Sequence, residues 1–288
     1  MPVPNIEALN RQISDAGAQW VAAKTPYSGL YGVTQSTEAL GLALRPEDVY
    51  QEMLTTRLNE ATMFTAPPAL PASIDWRNNR GDFVTPVRDQ NRCGSCVAFA
   101  TVASVESRAL ITQNRPGVDF DLSEAALFYC GAGMACNRGW QPQAALAYAQ
   151  RHGLGRETDF PYTPGNQPCQ QVTAVVNTGN PATAATMLAR KQALLDGPAI
   201  ASMAVYGDFF SYSSGIYRHV TGPLSGYHAV CVIGYDDGQG CWIVKNSWDT
   251  SWGEQGFFRI AYGECGFDSQ FPFYFPDAVT LVPGTTIP

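Results

Sequence analysis

The sequence predicts an α+β protein with two lobes, a helical half followed by a β half. The segment after Cys96, VAFATVASVESRALITQN, is apolar nearly all round in its first half, which is typical of a helix buried in a core. After Gly197 the chain changes to short runs rich in β-branched and aromatic residues, separated by glycines, which are typical of strands. A helix-breaking stretch at 65–71, TAPPALP, separates both halves from a polar N-terminal segment.

Composition and charge exclude several classes of protein. The chain has 288 residues and is 45% hydrophobic, which is enough for a core and excludes wholesale disorder. A net charge of −7, with no basic run, makes it a poor candidate for binding nucleic acid. No apolar stretch approaches the ~18 residues of a membrane span, so we expect no membrane insertion.

The polar segment before the linker, residues 1–68, is here called the leader, and residues 69–288 the main domain. In the leader, Ile6, Leu9, Ile13 and Trp20 recur near helical spacing, which predicts a first helix. A second helix is predicted from Pro46 to Leu58, with the proline in its first turn.

The main domain divides into a helical lobe, roughly 71–182, and a β lobe, roughly 183–288. The helical lobe holds the buried helix after Cys96 and two helical runs within 123–150, separated by the loop GAGMACNRGWQP. Strands are predicted at Ala199–Val205, His228–Tyr235, Cys241–Lys245 and Gly256–Ala261. The residues DDGQG at 236–240 predict a hairpin loop between the second and third of these strands.

The eight cysteines favour disulfides over a metal site. Five of them lie between 93 and 169, and no C-x-x-C pair is repeated, so we expect no zinc site. Clustered cysteines in loop-like sequence indicate an oxidising compartment, so a secreted, periplasmic or other extracytoplasmic location is expected. No secretion signal is recognisable at the N-terminus, so this expectation requires that a signal was removed or never included.

One set of polar residues has the chemistry of a nucleophilic site. Cys96 begins a buried helix, where unpaired backbone N–H groups and the helix dipole favour a thiolate. His228 lies 132 residues downstream at the start of an apolar strand, and Asn246 follows 18 residues later. Two neighbouring antiparallel strands would place His228 and Asn246 side by side, so that the amide orients the imidazole without adding a charge.

Six blocks in this order resemble the papain-like cysteine peptidases over about residues 71–276. They are LPASIDWR (70–77), TPVRDQ (85–90), CGSC (93–96), YHAV (227–230), IVKNSW (243–248) and SWGEQGFFRI (251–260). The resemblance implies a papain-like two-lobe fold, with a helical left lobe, an antiparallel β-barrel-like right lobe and the active site in the cleft between them. It further implies a cysteine endopeptidase, made as a proenzyme, that hydrolyses polypeptides without a metal or cofactor. Within the family, the short leader resembles bacterial members.

The resemblance also implies a role for each matching residue. Cys96 is the nucleophile, His228 the acid and base, and Asn246 the residue that orients His228. Trp248 shields the His228–Asn246 hydrogen bond from water. The Gln90 side-chain amide and the Cys96 backbone N–H form the oxyanion hole.

For the substrate, the resemblance implies a second group of residues. The backbone of Gly139 pairs with an extended peptide, and Tyr227 lies beside it before His228. Arg138 replaces a usual glycine at the cleft edge, where it narrows the site or recognises an acidic group. Gln270 stands where the family places the floor of the S2 pocket. Val97 replaces the family's usual tryptophan, so packing beside the nucleophile must differ.

Two disulfides follow from the same resemblance, Cys93–Cys136 and Cys130–Cys169, and they leave Cys96 free. A third family bridge ends at Cys265, but residues 217–227 contain no cysteine to meet it. Cys231 and Cys241 are expected to be buried thiols, although a hairpin could also bring them together.

The leader resembles the short inhibitory propeptide of cathepsin B. This implies that the leader inhibits the main domain within one molecule, with Leu40 and Gly41 near Cys96 and the chain running opposite to substrate. Processing is expected between about Met63 and Pro71. No insertion like the occluding loop of cathepsin B occurs between Gly139 and Pro161, which favours an endopeptidase. The expected partners are polypeptide substrates and protein inhibitors of cysteine peptidases, and the expected state is a monomer.

Other interpretations stay open at this point. Cys96 could be an ordinary buried thiol, and CGSC could be a thioredoxin-type redox pair, which would require a parallel sheet. The leader could be a permanent subdomain that plugs the site of a binding or regulatory protein. The same thioester could also react with an amine, which would make the protein a peptide ligase or transpeptidase.

Overall fold

The computed structural model describes residues 3–34, 39–63, 70–133 and 135–287. These residues form five α-helices: α1 (Ile6–Asp15), α2 (Pro46–Met63), α3 (Cys96–Thr112), α4 (Pro142–His152) and α5 (Met187–Leu195). They also form eleven strands: β1 (Gln19–Ala22), β2 (Ser73–Asp75), β3 (Val176–Thr178), β4 (Pro181–Ala184), β5 (Ala199–Tyr206), β6 (Tyr212–Tyr217), β7 (Leu224–Asp236), β8 (Cys241–Lys245), β9 (Phe257–Ala261), β10 (Phe273–Pro276) and β11 (Val279–Leu281). None of the described helices is long and apolar enough to span a membrane.

Helix α3 lies at the centre of the main domain, as the sequence predicts. Every residue from Cys96 to Leu110 is buried, because small and apolar side chains on all faces allow sheet and helices to pack around it. Its two charged side chains find hydrogen-bond partners inside the protein, whereas the buried Ser107 hydroxyl has none among the described residues. The Arg108 guanidinium donates to the carbonyl of Pro198 at 2.9 Å, and a Glu106 carboxylate oxygen accepts from the N–H of Leu122 at 2.8 Å.

The main sheet has nine strands in the order β1-β6-β9-β8-β7-β5-β10-β4, with β2 paired to β7. The predicted two-lobe α+β fold is confirmed, and two details of the β lobe differ from the antiparallel, barrel-like prediction. Among the described strands the order is an open path, and β6 pairs with β9 in parallel. A parallel pair needs a long connection, which here is the chain through β7 and β8. Strands β3 and β11 form a separate two-stranded sheet.

The β7–β8 hairpin sets the register between the two strands that position residues of the site. The predicted loop at 236–240 connects these strands, and the Asp236 carboxylate accepts from the Gln239 N–H at 3.1 Å to close the turn. Cys231 pairs with Lys245, and Asp236 pairs with Cys241. The register therefore holds Cys231 and Cys241 apart, and both are buried free thiols.

Three local predictions from the sequence are wrong. Trp20 lies in strand β1 and not in a helix, because its neighbours alternate between exposed and buried, as they do in an edge strand. Helix α5 lies in the lobe predicted to be β, capped by the Thr186 side chain. The loop-like sequence around His219 predicts an exposed ring, but His219 is half-buried, with its ring stacked 3.9 Å from that of Tyr206.

Both predicted disulfides are confirmed. Cys93–Cys136 and Cys130–Cys169 join segments that are 43 and 39 residues apart within the helical lobe. Cys96 and Cys265 are buried free thiols. The first bridge fixes the loop before α3 against the turn that precedes Gly139, and so connects the two walls of the cleft that this lobe supplies.

The leader packs along the main domain at several points. Strand β1 pairs antiparallel with β6 and adds an edge strand to the main sheet. At the other end of the leader, both carboxylate oxygens of Glu60 in α2 accept backbone N–H groups, from Ala185 at 2.9 Å and Thr186 at 2.7 Å. Arg57, one turn earlier, donates to the carbonyls of Ala185 at 3.2 Å and Ser269 at 3.0 Å. Residues 39–43, between these two contacts, cross the cleft.

Candidate active site

Cys96 is the first residue of α3, at the end where backbone N–H groups lack helical partners. Its sulfur is fully buried and accepts a hydrogen bond from the N–H of Ala229 at 3.4 Å. Backbone hydrogen bonds from Gly41 and Val97 also favour the thiolate. The structure thus places the nucleophile predicted from the sequence between α3, strand β7 and the leader.

His228 and Asn246 meet across the β7–β8 pair, as expected for neighbouring antiparallel strands. The distance between His228 Nε2 and Asn246 Oδ1 is 2.8 Å. Asn246 Oδ1 also accepts from the N–H of Ser247 at 2.8 Å, which fixes the side-chain oxygen toward the imidazole. The Trp248 ring stacks 4.9 Å from the His228 ring and covers this contact, as the resemblance implied.

Gln90 is fully buried and not a surface amide. Its Nε2 donates to the carbonyl of Cys93 at 2.7 Å, and its Oε1 accepts from the Ser247 hydroxyl at 2.6 Å. These two contacts fix which end of the amide carries the donor and hold it beside the loop that leads into Cys96. The role of Ser247 has no signal in the sequence beyond its place in the KNSW block.

Burial dominates the electrostatics of the closed cleft. It raises the pKa of the Cys96 thiol to about 12, despite the backbone N–H groups that lower it. It lowers the pKa of His228 to about 4, against the hydrogen bond to the Asn246 side-chain oxygen, which raises it. Both groups are therefore neutral near pH 7. The thiolate expected at the helix end does not form in this closed state, because desolvation outweighs the helix dipole.

Two polar atoms at the centre of the site are left unused. His228 Nδ1 and Asn246 Nδ2 are buried, and neither has a hydrogen-bond partner in the described part of the chain. An unpaired buried donor or acceptor is costly, so such atoms need a reason. Here the free imidazole nitrogen remains available for proton transfer with Cys96 or with a bound substrate.

The leader crosses the cleft in an extended conformation, directly over Cys96. The N–H of Trp140 donates to the carbonyl of Gly41, and the N–H of Ala43 donates to the carbonyl of Trp140, both at 2.8 Å. On the opposite wall the N–H of Leu42 donates to the carbonyl of Tyr227 at 3.3 Å. The Leu42–Trp140 pairing is parallel. The structure thus places Leu40 and Gly41 in the cleft, where the resemblance implied them.

Two glycines make this close approach possible. A Cβ atom added to Gly41 would lie only 2.1 Å from the carbonyl oxygen of Gly94, which cannot move aside cheaply. Gly139 has a φ of +69°, and its added Cβ would lie 2.5 Å from the carbonyl oxygen of Gly41. Backbone therefore packs on backbone here, and no side chain fits at either position.

On the other side of Cys96, the leader covers the aromatic wall of the site. The Trp248 indole N–H donates to the carbonyl of Ala39 at 3.1 Å. The Tyr27 ring stacks 4.9 Å from the Trp248 ring, and its hydroxyl donates to Asp89 at 2.9 Å. These contacts exclude water from the site, and no sequence pattern singled out Tyr27 or Asp89.

The predicted substrate residues fall into two groups. Arg138, Gly139 and Tyr227 line one open pocket of about 450 Å³ beside the leader. Gln270 is exposed and does not line it; its backbone N–H donates to the carbonyl of Gly266 at 3.0 Å. The structure therefore brings Arg138, Gly139 and Tyr227 together at this pocket and leaves Gln270 outside it.

Nothing in the described residues resembles a metal centre. No group of three or more histidine, cysteine, aspartate or glutamate side chains there has the arrangement of a metal site. The polar groups gathered around Cys96 are an imidazole, two amides and backbone N–H groups, which together suit proton transfer and oxyanion stabilisation.

Comparison with known proteins places the main domain in one family. A family model described as "Papain family cysteine protease" matches residues 70–274. Cysteine proteinase 2 of Entamoeba histolytica is 34% identical over 205 residues, which cover 66% of this chain and 63% of that protein. Digestive cysteine proteinase 1 of Homarus americanus is 36% identical over 216 residues, covering 70% of this chain and 66% of that protein. The chain thus spans slightly less than two thirds of these curated relatives.

Solved structures extend the likeness to the leader. The procathepsin B S9 of Trypanosoma congolense aligns with a TM-score of 0.73 at 23% identity, covering 98% of this chain and 100% of that chain, and so shares the fold. A Carica candamarcensis cysteine protease in complex with E-64 aligns with a TM-score of 0.61 at 32% identity, over 72% of this chain and 98% of that chain. With the family model covering most of its length, the chain belongs to the papain family of cysteine proteases.

Proposed function

We propose that this chain is the latent form of a cysteine endopeptidase that hydrolyses polypeptides through a thioester on Cys96. The observation that carries the proposal is the leader backbone paired across the cleft over Cys96, His228 and Asn246. An extended chain is already bound there through backbone groups, as a peptide substrate would be. A substrate would run in the opposite direction to the leader.

In the acylation step, the Cys96 thiol transfers its proton to His228, and the sulfur attacks the carbonyl carbon of the peptide bond. The tetrahedral intermediate then expels the amine, which takes the proton from His228, and a thioester remains on Cys96. Asn246 holds the imidazole in position through its 2.8 Å contact. Trp248 covers that contact and keeps water from competing for it.

In the deacylation step, His228 takes a proton from water, and the hydroxide attacks the thioester. The acid product leaves, and the proton returns to the Cys96 sulfur, so the enzyme is regenerated without a metal or cofactor. In both steps the Gln90 amide and the Cys96 backbone N–H donate to the oxyanion. The loss of one such donor typically lowers the rate by about 10²–10³-fold.

Residues 140–160 favour internal cleavage over trimming from a chain end. Helix α4 and the short turns around it account for this segment, so nothing in it extends over the cleft to block an elongated substrate. The C-terminal end of the leader's cleft segment continues outward, toward α2. A polypeptide bound in its place could do the same.

The setting of the protein is also part of the proposal. We infer an extracytoplasmic or lytic compartment, which the two disulfides support. We also infer, from the resemblance of the leader, a bacterial member of the family that is similar to xylellain. The substrates are polypeptides, the inhibitors include the leader itself and protein inhibitors of cysteine peptidases, and the enzyme acts as a monomer. Most of the processing region between Met63 and Pro71 lies outside the described residues.

Two other functions use the same arrangement. An amine in place of water would convert the thioester into a new peptide bond, which would make the protein a transpeptidase. A leader that never leaves would make it a plugged binding protein. Since the leader covers the site with buried side chains such as Leu40, the second possibility needs a direct test.

The test compares the full chain, Cys96→Ala and a variant that begins at Pro71, each with a fluorogenic peptide, thiol and mildly acid buffer. We expect turnover that requires Cys96 and that rises when the leader is absent. Equal turnover by the full chain and Cys96→Ala would eliminate the peptidase. An amine-trapped product would establish ligation, and turnover by the truncated form alone would support the plugged protein.

A further inference from the structure

The open pocket beside the leader has an unusual charge pattern. Among the described residues that line it, only two are charged, Arg45 from the leader and Arg138 from the main domain, and the others contribute backbone and apolar or aromatic side chains. Arg138 is exposed, and no other described residue forms an ion pair or hydrogen bond with its guanidinium. The protein as a whole carries a net charge of −7, so a cationic pocket is a local exception.

The backbone holds Arg138 firmly at the wall of the cleft. Its N–H donates to the carbonyl of Ala135 at 3.1 Å in a tight turn, and the preceding Cys136 is bonded to Cys93. The carbonyl of Cys136 accepts from the Gly94 N–H at 2.8 Å. The two residues after Arg138 form the wall along which the leader backbone runs. A side chain from this turn therefore reaches any extended chain bound at that wall.

The leader does not neutralise this charge. Its own residue in the pocket, Arg45, carries the same sign as Arg138. The Arg45 guanidinium is in turn paired within the leader, with Glu47 at 3.4 Å and Asp48 at 3.5 Å. When the leader departs, Arg138 is the one charged residue left among those that line the pocket.

We propose that Arg138 selects peptides that carry Asp or Glu two or three residues before the cleaved bond. The inference rests on the proposed peptidase function and deepens it. The leader passes Cys96 at Gly41 and continues along Gly139 into the pocket. A substrate that runs the other way places the residues upstream of its cleaved bond there, so a carboxylate on them meets the planar guanidinium.

The experiment uses the full chain after activation with thiol at pH 6, where substrate carboxylates are ionised. The peptides are fluorogenic and identical except at the third or the second residue before the cut, which is Glu, Gln or Lys. The enzymes are wild type, Arg138→Gln, Arg138→Lys and Arg138→Glu. Arg151→Gln on helix α4 is the matched control, since Arg151 is exposed and does not line the pocket.

Because an ion pair between Arg138 and a substrate carboxylate would be exposed to solvent, we expect a modest preference. Wild type should prefer Glu over Gln at one of these positions by about two- to fivefold in kcat/KM. The preference should fall to about one in Arg138→Gln, persist in Arg138→Lys and in the control, and reverse toward Lys in Arg138→Glu. Added salt should weaken it. Equal preferences in wild type and Arg138→Gln would overturn the inference while leaving the peptidase intact. Failure of every enzyme to cleave any peptide, with wild type equal to Cys96→Ala, would overturn the proposed function itself.

Discussion

Cys96 and His228 are both neutral while the leader covers them, although each stands where its charged form would be useful. Burial favours the neutral form of both groups because it removes the water that would solvate a thiolate and an imidazolium. When the leader leaves, solvent or substrate dipoles return and both pKa values should move back toward each other. On the proposed function, desolvation of Cys96 and His228 would contribute to latency as much as blocked access does.

This leads to a prediction about thiol reactivity. In the full chain, iodoacetamide should alkylate Cys96 at least about 10²-fold more slowly than after leader removal, because only the thiolate reacts. Mass spectrometry of the Cys96 peptide at pH 7 measures both rates. Cys231 is an internal control. Burial raises its pKa to about 12 as well, and the residues that line the cavity beside it include none from the leader. Equal rates at Cys96 before and after removal would contradict this explanation.

Glu157 provides a prediction about pH and stability. Burial raises the pKa of this carboxyl to about 7, above its ordinary value of 4.5, and one of its oxygens has no partner among the described residues. The folded state therefore holds a proton between pH 4.5 and 7 that the unfolded state has lost, so this group stabilises the fold as pH falls through 7. Above pH 7 the ionised group is destabilising.

Glu157→Gln keeps the acceptor for the Tyr162 N–H and removes the charge. After allowance for solvent screening, we expect the variant to be about 1–2 kcal/mol more stable than wild type at pH 8 and about equal at pH 5. Urea unfolding at the two pH values measures this. The exposed Glu7→Gln should change stability by less than about 0.5 kcal/mol at both. A constant difference across pH would show that the charge is not the cause.

At the scale of elements, the segments with strong local patterns were the predictable ones. Helix α3 and the β7–β8 hairpin were foreseen because an all-round apolar run and a DDGQG turn specify their structure locally. Strand β1 was not, because its four residues take their conformation from pairing with β6. The site residues of α3, β7 and β8 were predictable for the same reason. Ser247 and Ala229 were not, since their roles depend on which hydroxyl faces Gln90 and which backbone N–H faces Cys96.

The cleft segment of the leader yields a prediction at this scale. Gly41→Ala should lift the segment from Cys96, because the new methyl group would collide with the backbone of Gly94. The unprocessed variant should then alkylate at Cys96 roughly tenfold or more faster than wild type, as measured by the mass-spectrometric assay. Gly29→Ala is the matched control in the same leader, because nothing lies within 4 Å of its added Cβ. If Cys96 in the variant were alkylated no faster than in wild type, the leader would have accommodated the methyl group by shifting elsewhere, without uncovering Cys96.

Across the whole molecule, the leader behaves as part of the core and not as an appendage. Leu9, Ile13, Trp20 and Leu40 are all buried in the same apolar cluster as the main domain. Their loss should lower the thermal midpoint of the processed protein by several degrees relative to the full chain. Differential scanning calorimetry of Cys96→Ala before and after cleavage by an added protease measures the shift. An unchanged midpoint would mean that these contacts add nothing to the stability of the main domain.

The pairing of β1 with β6 has one more consequence. Once the leader is gone, the backbone N–H and C=O groups of β6 become the open margin of a large sheet. Beside them lie the rings of Tyr212 and Tyr217, which Trp20 now covers. Removal of the leader would thus uncover an unpaired sheet edge as well as the cleft, and a monomeric mature enzyme would have to leave the backbone groups of that edge to water.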